Sequence, residues 1–417
     1  MPLNNNLKDN KSGMKRVLVL VPEFPRLTET FIQREISKLI ELGNLDVTVF
    51  AMAKATGKLM DNVKGHVVYK RLSVVSGIRA FFYFLPQLAK VLRVYFWFIR
   101  QSLAEKEACV LKAPYFFAKS CGYAYLFAEE TPEYIHANFM SWPSTMALIA
   151  SKLLDIPYSI SAHAKDVMVE GEYFEAKVAS AKFIAICNVY AYKSCLDQSG
   201  KKDPKNVLLR YHGIDPSKAF DVDVSVEKPA RVVLCNVGDR LVAKKGQKYL
   251  IEAAKILKDR GYDFELHIGG PGPLYEELMA QIKDLGLTDV VFIHGEGEGV
   301  PFETVVSYLK IADIVVKSNI NLGSGDADGI PTSVIEAAMM GKPVVATDAG
   351  SVTDLIVNEE TGLIVSQRNP EELAEAVVRL LDNPDLASEL ASSAKEKAFE
   401  MFDLTRNVQE IEQLILN

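Results

Sequence analysis

The chain has 417 residues, 49% hydrophobic and 24% charged, with a formal net charge of −7. That length makes two domains, each able to bury its own core, and the composition is that of an ordinary globular protein. The acidic excess argues against a nucleic-acid partner, and the five cysteines, Cys109, Cys121, Cys187, Cys195 and Cys235, lack CxxC or metal-ligand spacing and read as reduced core residues of a cytoplasmic protein.

In chain order, residues 1–13 are polar, carry no signal-peptide core, and are expected to be a disordered tail or an expression remnant. "KRVLVLVPEFP" then suits a strand buried on both faces of a parallel sheet. "ETFIQREISKLIELG" follows as a helix, with apolar residues at 31, 32, 36, 39 and 40 and a stop at Gly43. "LDVTVFAM" is the next strand. The segment 79–101, "RAFFYFLPQLAKVLRVYFWFIRQ", is broken by Pro86, Lys90 and Arg93 and is no uninterrupted membrane span. It reads either as a packed helical pair in the core or as a peripheral membrane contact, with Arg79, Lys90, Arg93 and Arg100 at headgroup level.

"YIHANF", "STMALIASKLLDI", "PYSISAH", "KFIAICN" and "NVLLRYHGID" continue a strand and helix alternation, which predicts a first Rossmann-like domain over 14–213. The acidic, proline-bearing stretch 214–230 is the expected linker. Six further strands, from "RVVLCNVG" to "GLIV", alternate with helices and make a second Rossmann-like domain over 231–395. The remainder, 396–417, reads as a helix packing back toward the first domain. The expected fold is α/β, two doubly wound parallel-sheet domains facing across a cleft, the default site.

Two stretches of the second half carry chemistry. In "DGIPTSVIEAAMMGKPVV", residues 328–345, Pro331 suits the first helical position and Gly341 the stop. The helix opens where such folds bind ligands, and its free amides suit a diphosphate. Glu336, with no cation at i±3 or i±4, can accept from two adjacent hydroxyls, as on a ribose; Asp328 lies up to roughly 12 Å away, toward a sugar. In "VGDRLVAKKGQKYLIEAAKIL", residues 237–257, Arg240 and Lys245 fall in the loop after the first strand, where they can neutralise a diphosphate leaving group. The plain alternatives are a solvated or interdomain ion pair for Glu336 and ordinary exposed cations for the loop.

Arg240-Leu-Val-x-x-Lys245-Gly246, "GGPGPLYEEL", and Asp328-Gly-Ile-Pro followed by Glu336-Ala-Ala-x-x-Gly-Lys-Pro-Val-Val resemble glycosyltransferase family 4, retaining enzymes of the GT-B fold. "FPRLTETFIQREI", "IHANF", "SISAHAKDV" and "RYHGID" resemble its colanic-acid-type branch, which builds exopolysaccharide and O-antigen chains. The resemblance spans about 14 to 410, in order. It implies Glu336 on the donor ribose; Asp328 with the backbone of Gly329, Ile330, Pro331 and Thr332 at the donor sugar and phosphates; Arg240 and Lys245 on the diphosphate; and His163 of "SAHAKD" near the transferred sugar. It also implies a same-face displacement without a metal. Asp stands where Glu is more usual at 328, Asp239 is inserted before Arg240, and Asn138 replaces a frequent histidine.

His163 could alternatively serve a structural bond to Asp166, and His136 and His212 are expected at the cleft. The D-x-D spacings at 221–223 and 326–328 invite a divalent cation, but the first lies in the linker and the second overlaps the Asp328 motif, so no metal or other cofactor is expected. "PEFPRLTETF" ends the first strand without the glycines of a nicotinamide fingerprint; Thr28, Glu29 and Thr30 either meet the acceptor or cap the next helix. The expected activity is retaining hexosyl transfer from a nucleotide sugar, UDP-linked, to a glycan or lipid-linked saccharide, in the cytoplasm or at the inner face of its membrane. The alternative is a non-catalytic nucleotide-sugar or glycan-binding protein on the same fold.

Overall fold

The computed structural model describes residues 13–417 apart from 27–28, 106, 201–203, 224–225 and 323–328, and apart from the side chains of 107–110 and 218–219. The expectations for the tail up to residue 12, for Thr28 and Asp328, for the second D-x-D and for the Cys109 side chain lie outside the described residues. Two compact units form: one from the residues up to Cys187, Ala191–Gly213 and Leu404–Asn417, the other from Asn188–Tyr190 and Ile214–Asp403.

The first unit holds β1 (Lys15–Phe24), β2 (Leu45–Lys54), β3 (Val67–Tyr69), β4 (Tyr134–Asn138), β5 (Tyr158–Ala162), β6 (Ile184–Ile186) and β7 (Val207–Leu209) in the order β3-β2-β1-β4-β5-β6-β7. Every neighbouring pair is parallel, with Val17 opposite Val47 of β2 on one side and Tyr134 of β4 on the other. Helices cover both faces, which is why β1 can be apolar from Val17 to Val21 without alternation. Helix α1 (Thr30–Leu42) ends at Gly43, whose φ of +73° is the left-handed stop that glycine supplies cheaply. The three-residue β3 was not expected from the sequence; so short an edge strand carries little periodicity.

Helices α2 (Val74–Phe84) and α3 (Leu88–Ala104) are separated by a turn around Pro86 and, with α4 (Glu107–Ala128) and α5 (Trp142–Leu154), complete one side of this unit. α2 buries Ser76, Ala80 and Phe84 and α3 buries Val94, Phe98 and Ser102, so each presents only one stripe to the core. The pair is therefore not a fully packed core element. No helix among the described residues is long and apolar enough to cross a membrane.

The expected helix over 396–417 divides at Asp403, whose extended backbone separates Pro384–Phe402, in the second unit, from Leu404–Leu416, in the first. The latter shares a core with α1, joining Leu404, Val408 and Ile415 to Ile32, Ile36 and Leu39. Lys15 Nζ donates to the Ile415 carbonyl at 2.6 Å and Asn44 Nδ2 to Glu412 Oε2 at 2.9 Å. The stretch 214–230 belongs to the second unit and begins with a short helix, Pro216–Ala219, capped by Asp215.

The second unit holds β8 (Val232–Val237), β9 (Phe264–Gly269), β10 (Val291–His294), β11 (Ile314–Lys317), β12 (Val344–Thr347) and β13 (Leu363–Val365) in the order β10-β9-β8-β11-β12-β13, again all parallel. Both sheets are thus doubly wound and Rossmann-like. In each, the strand order reverses beside the first strand, leaving a crevice at the carboxyl ends: between β1 and β4, and between β8 and β11. Cys121, Cys187, Cys195 and Cys235 are free thiols.

Candidate functional site

In the second unit the loop after β8 runs along this crevice. Gly238, at φ +79°, lies so close to the next layer that a Cβ there would come within 3.3 Å of the Ser333 Cβ, so the loop passes beside the start of α7 (Thr332–Met339). The helix α6 (Gln247–Asp259) begins after Gly246, at φ +62°, where a Cβ would sit 2.0 Å from the Ser318 carbonyl oxygen. Only glycine permits that approach. Ser318 Oγ donates to the Lys245 carbonyl at 3.0 Å and the Ile320 N–H to the Lys244 carbonyl at 2.8 Å, fixing the loop against the strand-β11 end.

Between the two strand ends lies a buried ion cluster. Lys245 Nζ donates to Asp239 Oδ1 at 2.6 Å, and Lys317 Nζ donates to Asp239 Oδ2 at 2.7 Å and to the Val237 carbonyl at 3.0 Å. Burial opposes ionisation of Asp239, yet the two ammonium groups outweigh it and hold the carboxyl well below the usual carboxylate range. Arg240 stands exposed on the same loop. Lys245, Lys317 and Arg240 against the one carboxylate of Asp239 give a formal excess of positive charge, next to a helix N-terminus. That combination favours an anion.

Pro331 is the N-cap of α7, with ψ 128°, and Thr332 is the first helical residue, one later than the sequence suggests, because the proline backbone is still extended. Gly341, at φ +69°, follows the helix as expected. Gly329 and Ile330 are half-buried, Pro331 is buried and Thr332 is exposed. Glu336 is 3% exposed, on the interior side of α7 rather than at the surface.

In the first unit, His163 follows β5, Cys187 follows β6, His212 follows β7 and Glu35 lies on α1. His212 Nδ1 donates to Glu35 Oε1 at 2.5 Å, while His212 Nε2 and His163 Nδ1 are 2.9 Å apart. Burial works against charge on His212, but Glu35 and Cys187 outweigh it and hold its pKa well above the usual histidine value; burial and the neighbouring His212 hold His163 well below. A charged His212 donates from both nitrogens, so His163 accepts at Nδ1 and, being neutral, carries its proton on Nε2. Phe31 and Phe139 meet the His163 ring edge-on, each with centroids 4.9 Å away. Phe139 holds φ +75°, an uncommon conformation for a bulky residue and one that clusters at functional sites.

Asp166 also engages His163, accepting from its backbone N–H at 3.0 Å and from the Met140 N–H at 2.7 Å. The structural bond weighed from sequence therefore exists and leaves the imidazole to the Glu35 chain. His163, Cys187 and His212 offer ligand atoms within 4.8 Å of one another, the group among the described residues closest to a metal-binding set. The 2.9 Å nitrogen separation is a hydrogen-bond distance and is shorter than the roughly 3.3 Å that tetrahedral zinc bonds of about 2.0 Å require.

Lys245 and the residues 329–332 thus share one crevice in the second unit, and His163 lies in the first. Glu29 and Thr30 sit at the start of α1, where Glu29 Oε1 accepts from Arg26 Nη1 at 2.9 Å. Sequence reading missed Lys317, the role of Asp239 and the Glu35–His212 pair. A lysine ending an otherwise apolar strand was the available signal for the first, since a buried ammonium demands a carboxylate.

Residues 217–397 match the family model described as Glycosyl transferases group 1. The chain is 34% identical over 170 residues to the amylovoran biosynthesis glycosyltransferase AmsK of Erwinia amylovora, covering 40% of each chain. It is 33% identical over 160 residues to the putative colanic acid biosynthesis glycosyltransferase WcaL of Escherichia coli, covering 38% of each. The matches span about two fifths of these relatives' length. The crystal structure of Anabaena HepE in complex with UDP shares the fold with a TM-score of 0.69 and 18% identity, over 96% of this chain and 99% of that one. The chain therefore has the GT-B fold, and the segment of its second unit that carries the Asp239, Lys245 and Lys317 cluster is the segment that matches glycosyl transferases group 1.

Proposed function

We propose that the chain is a glycosyltransferase that moves a hexosyl unit from a nucleotide sugar, UDP-linked, to a glycan or lipid-linked saccharide acceptor, with retained configuration and without a metal. The observation that carries this reading is the cationic crevice at the carboxyl ends of β8 and β11, set beside the start of α7 and inside the matched segment. Arg240, Lys245 and the α7 amides neutralise charge as the nucleoside diphosphate departs, the electrostatic term that usually dominates such chemistry.

Glu336 holds the donor ribose, and Asp328 with the backbone of Gly329, Ile330, Pro331 and Thr332 meets the donor sugar and phosphates; the family resemblance supports these roles. His163, with its proton on Nε2, donates a hydrogen bond to a hydroxyl of the transferred sugar. Thr28, Glu29 and Thr30 face the acceptor. The leaving phosphate helps deprotonate the acceptor hydroxyl on the same face of the sugar.

The test is a donor panel of UDP-, GDP- and dTDP-sugars, following nucleotide release with and without EDTA and assigning the product anomer by NMR. Turnover of one donor with retention supports the reading. No turnover by the wild-type chain, with UDP still protecting it thermally, indicates a binding protein instead; loss of turnover in EDTA overturns the metal-free step.

A further inference from the structure

We infer that the exposed faces of α2 and α3 dock the first unit on an anionic phospholipid bilayer. On α2 the exposed residues Val74, Val75, Ile78, Phe81 and Phe82, continued by Leu85 just after its end, recur at helical spacing and lie opposite the buried Ser76, Ala80 and Phe84. On α3, Leu88, Leu92, Phe96 and Leu103 make a second exposed apolar stripe. Phe81 and Phe82 are each 63% exposed and Phe96 66%; at roughly 200 Å² per ring-bearing side chain, these three alone expose about 400 Å². The Phe81 and Phe82 rings touch, with centroids 5.6 Å apart, and exposed apolar surface on the scale of a monomer's largest patch is often functional.

The exposure is not a sign of loose packing. Phe98, on the opposite side of α3, packs its ring 5.0 Å from Tyr173, Ser102 and Tyr173 hydroxyls lie 3.0 Å apart, and Lys152 Nζ sits 4.2 Å above the Trp97 ring. The helices are anchored, with their apolar stripes outward.

Charge selects the occupant. Residues 74–104 contain Arg79, Lys90, Arg93 and Arg100 and no acidic residue, in a chain whose net charge is −7. Lys90 pairs with Asp155. Arg79, Arg93 and Arg100 are exposed and, on a helical projection, flank the apolar stripes, the arrangement of a helix lying in the membrane interface with its cations among headgroups. A second copy meeting this face across a two-fold axis would oppose arginines to arginines, with the neighbouring carboxylate of Asp155 already paired to Lys90.

The experiment uses the full chain with vesicles of phosphatidylcholine alone and of phosphatidylcholine with 40% phosphatidylglycerol, read by flotation. Binding at least ten-fold tighter to the anionic vesicles is expected. The triple variant Phe81→Ser, Phe82→Ser, Phe96→Ser should reduce binding at least ten-fold, and Arg79→Gln, Arg93→Gln, Arg100→Gln should remove most of the lipid preference, on the order of 10²-fold. All six positions are exposed, so circular dichroism should be unchanged. Phe96→Trp adds an independent readout: its emission should shift blue only with anionic vesicles. No flotation by the wild type, flotation unaffected by the serine variant, or concentration-dependent dimerisation that the serine variant abolishes would each overturn the inference. None of these readouts depends on transferase activity.

Discussion

Asp239→Asn isolates the buried cluster of the second unit. The amide keeps the size of the carboxylate but leaves Lys245 and Lys317 facing a neutral group, with no cavity created. Lys317 is 1% exposed and Asp239 5%, so water cannot replace the lost charge. Removing one partner of a buried ion pair costs about 3–5 kcal/mol, and for a unit of this size each kcal/mol shifts Tm by about 2–4 °C. The expected fall is therefore about 6–20 °C, read by calorimetry at pH 7.5. Adding Lys317→Met to Asp239→Asn removes one stranded ammonium and should recover part of the loss.

The pH dependence follows from the depressed Asp239 pKa. Its stabilisation is fully present above the unfolded carboxylate value, near pH 4, and is lost as pH falls through the lower folded value. The gap between wild type and variant should hold steady from pH 5 to 8 and narrow only below about pH 4. A fall under 2 °C at pH 7.5, or a gap that closes between pH 5 and 7, would refute the buried clamp.

The remaining expectations concern substrate and the first unit. Arg240→Ala, at an exposed position, should leave Tm within about 1 °C and lower kcat/KM for donor turnover on the order of 10²-fold; unchanged turnover would remove Arg240 from the diphosphate site. Glu35→Gln takes away the acceptor that holds His212 charged, so His163 loses its fixed tautomer and turnover should fall up to about 10²-fold; an unaltered pH profile of kcat would count against the chain of contacts. Because the folded His212 pKa is raised, its stabilisation is complete below about pH 6.5 and declines as pH rises through the folded value, so hydrogen-exchange protection in the first unit, taken relative to the intrinsic rate at each pH, should fall toward alkaline pH in wild type and less so in Glu35→Gln. Ending the chain after Asp403 removes Leu404, Val408 and Ile415 from the α1 core; at about 1.5–3 kcal/mol each, the loss is expected to unfold the first unit, checked by its exchange protection.

Most of the fold was legible because parallel strands covered on both faces have to be apolar throughout. "KRVLVLV" and "VVLCNV" can hardly be anything else, and the glycines at 43 and 341 stop helices for a backbone reason that any sequence reading can apply. The crevice of the second unit was legible in outline, through Arg240, Lys245 and Pro331. Its electrostatic centre was not: Asp239 looked like an insertion that disturbed a motif, and only the adjacency of β8 and β11 brings Lys317, 78 positions later, onto the same carboxylate. Glu35 and His212 are 177 positions apart and meet because α1 returns over the carboxyl ends of β5 to β7. The helical segment 79–101 stayed open between two readings for a different reason: apolar residues occupy both a buried and an exposed stripe, and periodicity alone does not say which stripe faces the core.

The return of Leu404–Leu416 to the first unit sets a timetable for synthesis. The apolar side of α1 is finished by residues that begin 191 positions after Gly213, once the whole second unit has been synthesised. At roughly 5–20 residues per second that is a wait of about 10–40 s, during which Ile32, Ile36 and Leu39 lack their partner helix. Until then the nascent first unit keeps that apolar side of α1 uncovered, whereas the second unit, continuous from Ile214 to Asp403 but for a three-residue segment, needs no later residue to complete it.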